Sequence, residues 1–180
     1  MSASPFDKLP RVPSFTVTST DLADGEPLAP AQYSARTPVP GAADASPQLS
    51  WTGFPDATQS FMITMLDADA PVPAGFWHWA VADLPVTTTE LATGAGAPGG
   101  QGLPTGAFHL PNDARLAFYA GAMPPVGTGK HRYLIAVSAL DVPSVTELGI
   151  TAESTPTMLY FSTLQHTIAR AVITPWGGEG

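Results

Sequence analysis

The chain contains no cysteine. Disulfide staples, thiolate nucleophiles and cysteine-based zinc sites are therefore excluded. Charge is also scarce: Asp, Glu, Lys and Arg make up 12% of the 180 residues, about half the usual ~25%. Long coiled coils and solvated, charged helices do not arise from so few charges. Basic residues are scarcer still, with seven Lys+Arg against fifteen Asp+Glu and a net charge of −8. Arg11, Arg36, Arg115, Arg132, Arg170, Lys8 and Lys130 are scattered along the chain. No basic stripe exists to displace counterions, so nucleic acid is not an expected partner, and an anionic membrane surface is disfavoured on the same ground. No apolar run approaches the ~18 residues of a membrane span. Residues 1–8 lack a basic stretch followed by an apolar one, so no signal peptide is expected and the cytoplasm is the expected compartment.

Hydrophobic residues make up 44% of the chain, which excludes intrinsic disorder. There are 20 prolines and 17 glycines. Punctuation at that density breaks helices and points to short strands joined by turns. The length predicts one domain with a sizeable core. No internal repeat or linker divides it, so the expectation is a polar leader over 1–11 and a single domain over 12–180.

Val12 to Thr20 reads as a strand, followed by a turn at Asp24-Gly25. Phe61-Met-Ile-Thr-Met-Leu66 is a short apolar run between Ser60 and Asp67, the pattern of a central strand covered on both faces. Trp77 to Ala82 and His131 to Leu140 are further strands. Residues 93–106, rich in glycine, read as a long mobile loop. One helix is expected, at the C-terminus. Thr155 caps it and Pro156 suits its first position. Met158, Phe161, Leu164, Ile168 and Val172 recur at helical spacing until Pro175. The predicted fold is mainly β: an antiparallel β-sandwich with a C-terminal α-helix.

Three segments carry candidate chemistry. Asp67-Ala-Asp69-Ala-Pro71 places two carboxylates where a strand runs out; the same residues also suit a polar turn. Ala70–Pro71 is a candidate cis bond. In Trp77-His78-Trp79, strand alternation puts His78 on one face with Ala80 and Ala82, opposite both tryptophans. In Pro124-Pro125-Val-Gly127-Thr-Gly129-Lys130-His131-Arg132-Tyr133, a glycine turn delivers the chain into a strand. His131 and Tyr133 share a face at its entrance and offer imidazole and phenol donors to one small anion. Two motif look-alikes fail on context. Gly94-Ala-Gly96-Ala-Pro98-Gly99 matches a dinucleotide fingerprint, but Pro98 and the glycines that follow cannot open a helix. Gly127-Thr-Gly129-Lys130 is followed by a strand, not the helix of a phosphate-binding loop.

Taken together, Asp67-x-Asp69-Ala-Pro71, Gly75-Phe-Trp-His78-Trp79 and Pro124-Pro125-x-Gly-x-Gly-x-His131-Arg132-Tyr133 resemble the phosphatidylethanolamine-binding protein family, and more narrowly its bacterial, Raf kinase inhibitor-like branch. Ser46-Pro47-x-Leu49-x-Trp51, Asn112-Asp113 and Gln165-His166 fit as well, over roughly residues 12–174. The resemblance implies a surface pocket for phosphate or a phosphorylated headgroup, built by Asp67, Pro71, His78, Pro124, His131 and Tyr133. Asp69, Trp77 and Trp79 would support it. Met123 would sit near the rim and narrow the pocket. The chain departs from the family pattern at Ala68, Asp83, Met123 and Ala114. The resemblance also implies a cis Ala70–Pro71 bond and a homodimer.

Three functions compete at this point. The first is non-enzymatic binding of a small anion or phosphorylated molecule, with no cofactor and no metal. The second is a hydrolase using the Asp67/His78/His131 cluster, with or without a metal. The third is a regulator that binds a protein kinase or phosphoprotein through the pocket rim, a role the 93–106 loop would suit.

Overall fold

The structure, a computed structural model, describes residues 4–179. In chain order its strands are β1 (Thr16–Thr18), β2 (Leu49–Thr52), β3 (Ser60–Asp67), β4 (Phe76–Pro85), β5 (Glu90–Leu91), β6 (Phe108–His109) and β7 (Lys130–Leu140). Helix α1 (Pro156–Ser162), β8 (Thr167–Ile173) and β9 (Trp176–Gly178) complete it. Two antiparallel sheets result. The small one runs β1-β2-β5; the large one runs β6-β4-β3-β7-β8, with β9 paired to the first residues of β7. The expected antiparallel sandwich with a C-terminal helix is present.

Strand β3 is buried at every position, as its unbroken apolar run requires. Phe61, Ile63 and Met65 face the small sheet and pack with Leu49, Trp51 and Ile135. Met62 faces the other way, with Ala80, Ala82 and Leu140, beneath Leu159 and Tyr160 of α1. The polar member of the run, Thr64, is satisfied by the Tyr160 hydroxyl at 2.8 Å. Burying each large side chain in these layers contributes ~1.5–3 kcal/mol.

The helix is shorter than its sequence pattern suggests. It starts as expected, with Thr155 Oγ1 accepting the Met158 N–H at 3.2 Å. It ends at Ser162, and Thr167–Ile173 is a strand instead. Apolar residues at 164, 168 and 172 fit both periods. Two physical facts decide between them. Thr167, Ile168, Val172 and Ile173 are β-branched and favour a strand. The open edge of β7 also accepts them, pairing Ile135 with Ile173 and Val137 with Ala171. The first strand is likewise shortened, to Thr16–Thr18.

Residues 93–106 are anchored to the rest of the fold by hydrogen bonds. The N–H groups of Gly94 and Gly96 donate to Ser46 O and Ser46 Oγ, each at 2.8 Å, and Gly96 O accepts from Tyr119 N–H at 2.8 Å. Gly102 packs on backbone: a Cβ there would lie 2.6 Å from Ala95 Cα. These glycines therefore serve close approach as much as turning. At the N-terminus, Ser4 caps a turn over Pro5–Lys8, and Phe6 packs on Tyr160 with ring centroids 5.8 Å apart. Among the described residues, no helix is long and apolar enough to cross a membrane.

The β3–β4 connection contains Gly75 at φ +72, where a Cβ would lie 2.6 Å from Asp67 O. Gly75→Ala is expected to lower stability by about 2–3 kcal/mol, combining a left-handed backbone with a backbone clash. Urea unfolding measures it; a variant as stable as the parent would show that the turn rearranges freely.

Candidate functional site

Asp67 is the last residue of β3 and remains buried, at 4% exposure. A carboxylate so placed needs partners. Its Oδ2 lies 2.8 Å from His131 Nδ1, and its Oδ1 accepts the Asp69 N–H at 3.0 Å. His131 is fully buried on β7, one position from Arg132. Its other nitrogen, Nε2, lies 2.7 Å from Thr128 Oγ1. Thr128 Oγ1 in turn lies 2.6 Å from the Pro125 carbonyl.

This hydroxyl–imidazole–carboxylate chain has the connectivity of a nucleophile relay, but its placement argues otherwise. Neither Thr128 nor His131 lines the neighbouring cavity, and His131 is fully buried. The chain is a clamp on Asp67, set behind the cavity rather than in it.

Asp69 is held from the same strand. Arg132 Nε and its second guanidinium nitrogen Nη2 donate to the two Asp69 oxygens at 2.7 and 2.8 Å, and Arg132 N–H donates at 2.9 Å. The guanidinium keeps the Asp69 carboxyl below its ordinary pKa, against the opposing effect of burial. Together these bonds pin the 67–71 turn to β7.

The Ala70–Pro71 bond expected to be cis is trans; among the described residues no cis peptide occurs. The turn closes by other means, through Asp69 N–H to Asp67 Oδ1 and Val72 N–H to Ala70 O at 2.7 Å.

His78 does not share a face with Ala80 and Ala82. The ladder pairs Met65 with Trp79 but Leu66 with Trp77, so His78 is an extra residue in β4. Such a bulge turns successive side chains to the same side. His78 meets Tyr133 edge-on at 5.4 Å, and Trp79 meets Tyr119 at 5.8 Å on that side. Trp77 goes to the other, stacking on Tyr160 at 5.4 Å.

The bulge is held by the chain after β6. Trp77 N–H donates to Asp113 Oδ2 at 2.8 Å, and His78 O accepts from Ala120 N–H at 3.0 Å and Asn112 Nδ2 at 3.1 Å. His78 Nδ1 is 2.9 Å from Ala120 O and must donate to it, which leaves Nε2 as the nitrogen for a ligand. Burial lowers the pKa of His78, and the Ala120 carbonyl only partly offsets it.

A cavity of about 660 Å³ opens at this end of the sandwich. Asp67, Pro71, His78 and Met123 line it, with Val72, Phe76, Leu116 and Phe118 forming apolar wall. Pro125 lines it and Pro124 does not. His131, Tyr133, Trp77 and Trp79 are also off the wall; Tyr133 lies behind His78 and His131 behind Asp67. The Tyr133 hydroxyl is buried without a hydrogen-bond partner, and burial followed by the Asp67 charge raises its pKa. Met123 lines the cavity and is 54% exposed.

Several wall residues had no sequence signal. Arg36 comes from the irregular stretch 34–47, and Asp44 binds the Ala35 and Gly121 N–H groups at 2.9 and 2.8 Å. Thr128 was legible only as part of a glycine turn. Among the described residues, no group of three His, Asp or Glu side chains is arranged to hold a metal ion. The ring nitrogens of His131 and one of those of His78 are already engaged, so Asp67, His78 and His131 do not form the metal cluster considered above.

A model of the phosphatidylethanolamine-binding protein family matches residues 18–175. The chain is 36% identical to YbcL of Escherichia coli (strain K12) over 162 residues, 90% of this chain and 86% of that one. It is 35% identical to YbhB of the same organism over 156 residues, covering 87% and 95%. The crystal structure of E. coli YbcL, described as a new member of the mammalian PEBP family, superposes with a TM-score of 0.86 over 93% of this chain and 99% of that one. A homologue from Chlamydia trachomatis at 22% identity shares the fold, with a TM-score of 0.71 over 93% of this chain and 99% of that one.

The Asp69–Arg132 clamp generates a prediction. A depressed carboxyl pKa contributes stability above its unfolded value and loses it as pH falls through the folded one. Asp69→Asn is expected to cost about 1–2 kcal/mol at neutral pH, and the gap to the parent to close below about pH 4. Denaturant midpoints across pH measure it; a gap that does not depend on pH would assign the loss to packing alone.

Proposed function

The chain belongs to the phosphatidylethanolamine-binding protein family, and on that premise we propose that its cavity binds a small phosphorylated or related oxyanionic group without transforming it. The observation that carries this reading is the cavity's make-up. A large apolar wall surrounds a few polar side chains, Ser34, Arg36, Asp44, Asp67 and His78, the ordinary form of a small-molecule site. Among the described residues on that wall, no nucleophile is paired with a base and an orienter. Thr128, His131 and Asp67 have the right order, but Thr128 and His131 lie off the wall.

The chemistry of the pocket selects among anions. His78 Nδ1–H is spent on Ala120 O, so an anion needs a proton on Nε2, and that makes the ring an imidazolium. Burial opposes that charge. A bound oxyanion reverses the balance by pairing with it, so binding takes up a proton. Asp67, fixed beside the site, repels a dianion and favours a monoanion or a zwitterion whose ammonium it can meet. His131 acts through Asp67 and Tyr133 through His78. We therefore assign both as positioning residues.

The homodimer and the kinase or phosphoprotein partner are further proposals, resting on the family resemblance. Light scattering that shows only monomer would overturn the first. A pull-down whose partner survives excess phosphate would overturn the second as a pocket-mediated contact.

Calorimetry with phosphate and phosphoethanolamine tests the principal reading. Free His78 has its pKa below the ordinary value of 6.5, and the ligand raises it. Affinity is therefore expected to rise as pH falls from about 8 through about 6.5, with proton uptake visible as a dependence of heat on buffer. His78→Gln removes a charge-assisted bond worth roughly 1.5–3 kcal/mol, about 10- to 100-fold in affinity. Binding without proton uptake, or unchanged in His78→Gln, would remove His78 from the site.

A further inference from the structure

Arg170 projects from β8 on the side away from the small sheet and is half-buried. Its Nε lies 3.4 Å from Ser138 Oγ, and its guanidinium sits 5.5 Å from the centre of the Phe6 ring. Among the described residues it makes no ion pair. The contrast with Arg132 is direct, since that guanidinium is gripped by both oxygens of Asp69. Burial lowers the Arg170 pKa, the signature of a cation taken partly out of water without an anion to compensate it.

Arg170 lines a cleft of about 370 Å³ that shares no wall residue with the cavity at the end of β3. Arg11 lines it too, exposed and without an ion pair among the described residues. The remaining wall includes Phe6, Leu9 and Val172, and one carboxylate, Asp7. Asp7 is occupied locally, with Oδ2 accepting the Ser4 N–H at 2.9 Å. Two guanidinium groups therefore outnumber the carboxylate in this cleft, in a chain whose net charge is −8. With so negative a chain, an anion held here is held by these two groups and not by a general field.

From this geometry we infer that the cleft between the 6–12 segment and β8 is a second anion site, separate from the headgroup cavity, in which Arg170 and Arg11 grip a small oxyanion. The guanidinium fork matches the paired oxygens of a carboxylate or phosphate group, and its unused N–H groups supply parallel hydrogen bonds. Phe6, Leu9 and Val172 beside it suit an apolar body attached to that group.

Amide NMR titration of the full chain with inorganic phosphate, and separately with acetate, tests the inference. Saturable shifts are expected over residues 6–12 and 170–172, distinct from any near His78 and Ala120. Arg170→Gln is expected to weaken them at least tenfold and Arg11→Gln severalfold. Arg115→Gln, an exposed arginine elsewhere, should leave them unchanged. His78→Gln should abolish shifts at the cavity and spare these, so each site fails or stands by itself. Tighter phosphate than acetate would assign the site to phosphorylated ligands, and the reverse to carboxylates; either supports the inference. Absence of saturable shifts at 6–12, or equal affinity in the parent and the arginine variants, overturns it. If Arg170→Gln does not fold, the exposed Arg11 decides the question alone.

Discussion

A carboxylate buried at the end of the central strand has to be hydrogen-bonded, and most of the site follows from how this is done. Asp67 leaves the core with β3 and finds His131 at 2.8 Å on the neighbouring strand. The pairing is possible because β3 and β7 run antiparallel in a register that sets Asp67 opposite Tyr133. Breaking one partner of such a pair leaves a buried charge uncompensated, which costs more than the pair contributes. That pairing ties together the end of the β3–β7 ladder, the turn that follows β3 and the acidic wall of the cavity.

The second constraint is the extra residue in β4. Without it His78 would point to the side of Ala80 and Ala82, away from Tyr133. The bulge is stabilised from outside the sheet, where Asn112 gathers four backbone groups. Its Nδ2 donates to His78 O and Phe118 O, and its Oδ1 accepts from the Ala114 and Leu116 N–H groups. One amide side chain therefore holds both the bulge and the loop that carries Leu116 and Phe118 into the cavity wall. A comparable device operates at the other end of the same strand. Asp83 adopts φ 55 and binds Ser144 Oγ and Val145 N–H, a left-handed position that suits an Asp or Asn side chain.

Electrostatics differ sharply over short distances in this protein. Arg132 and Asp69 satisfy one another at the turn. His78 is buried, and its environment disfavours charge until something anionic arrives. Arg170 is partly buried without a carboxylate. The first arrangement stiffens the structure, and the other two leave an electrostatic deficit that a ligand would relieve. Such differences separate scaffolding from candidate binding groups even where the residue types are the same.

The amino-acid sequence by itself determined the central strand, the turn residues and the sandwich class. Phe61–Leu66 has no polar alternation to satisfy on a half-exposed face, and the proline and glycine content forbids long helices. It also placed Asp67, His78, His131 and Tyr133 in three strands or strand ends, because chemistry-bearing residues stand out in a chain so poor in charge. Tertiary structure decided everything that depends on a partner. Ile168 and Val172 fit a helix and a strand equally until the open edge of β7 selects the strand. The direction of His78 depends on a bulge held by residues more than thirty positions away. His131 and Tyr133 share a face as alternation requires, yet both lie behind the cavity wall, since only packing sets which of two neighbouring side chains reaches solvent. Arg36 and Arg170 carried no local signal, because which space a side chain lines is set by packing and not by its neighbours in the chain.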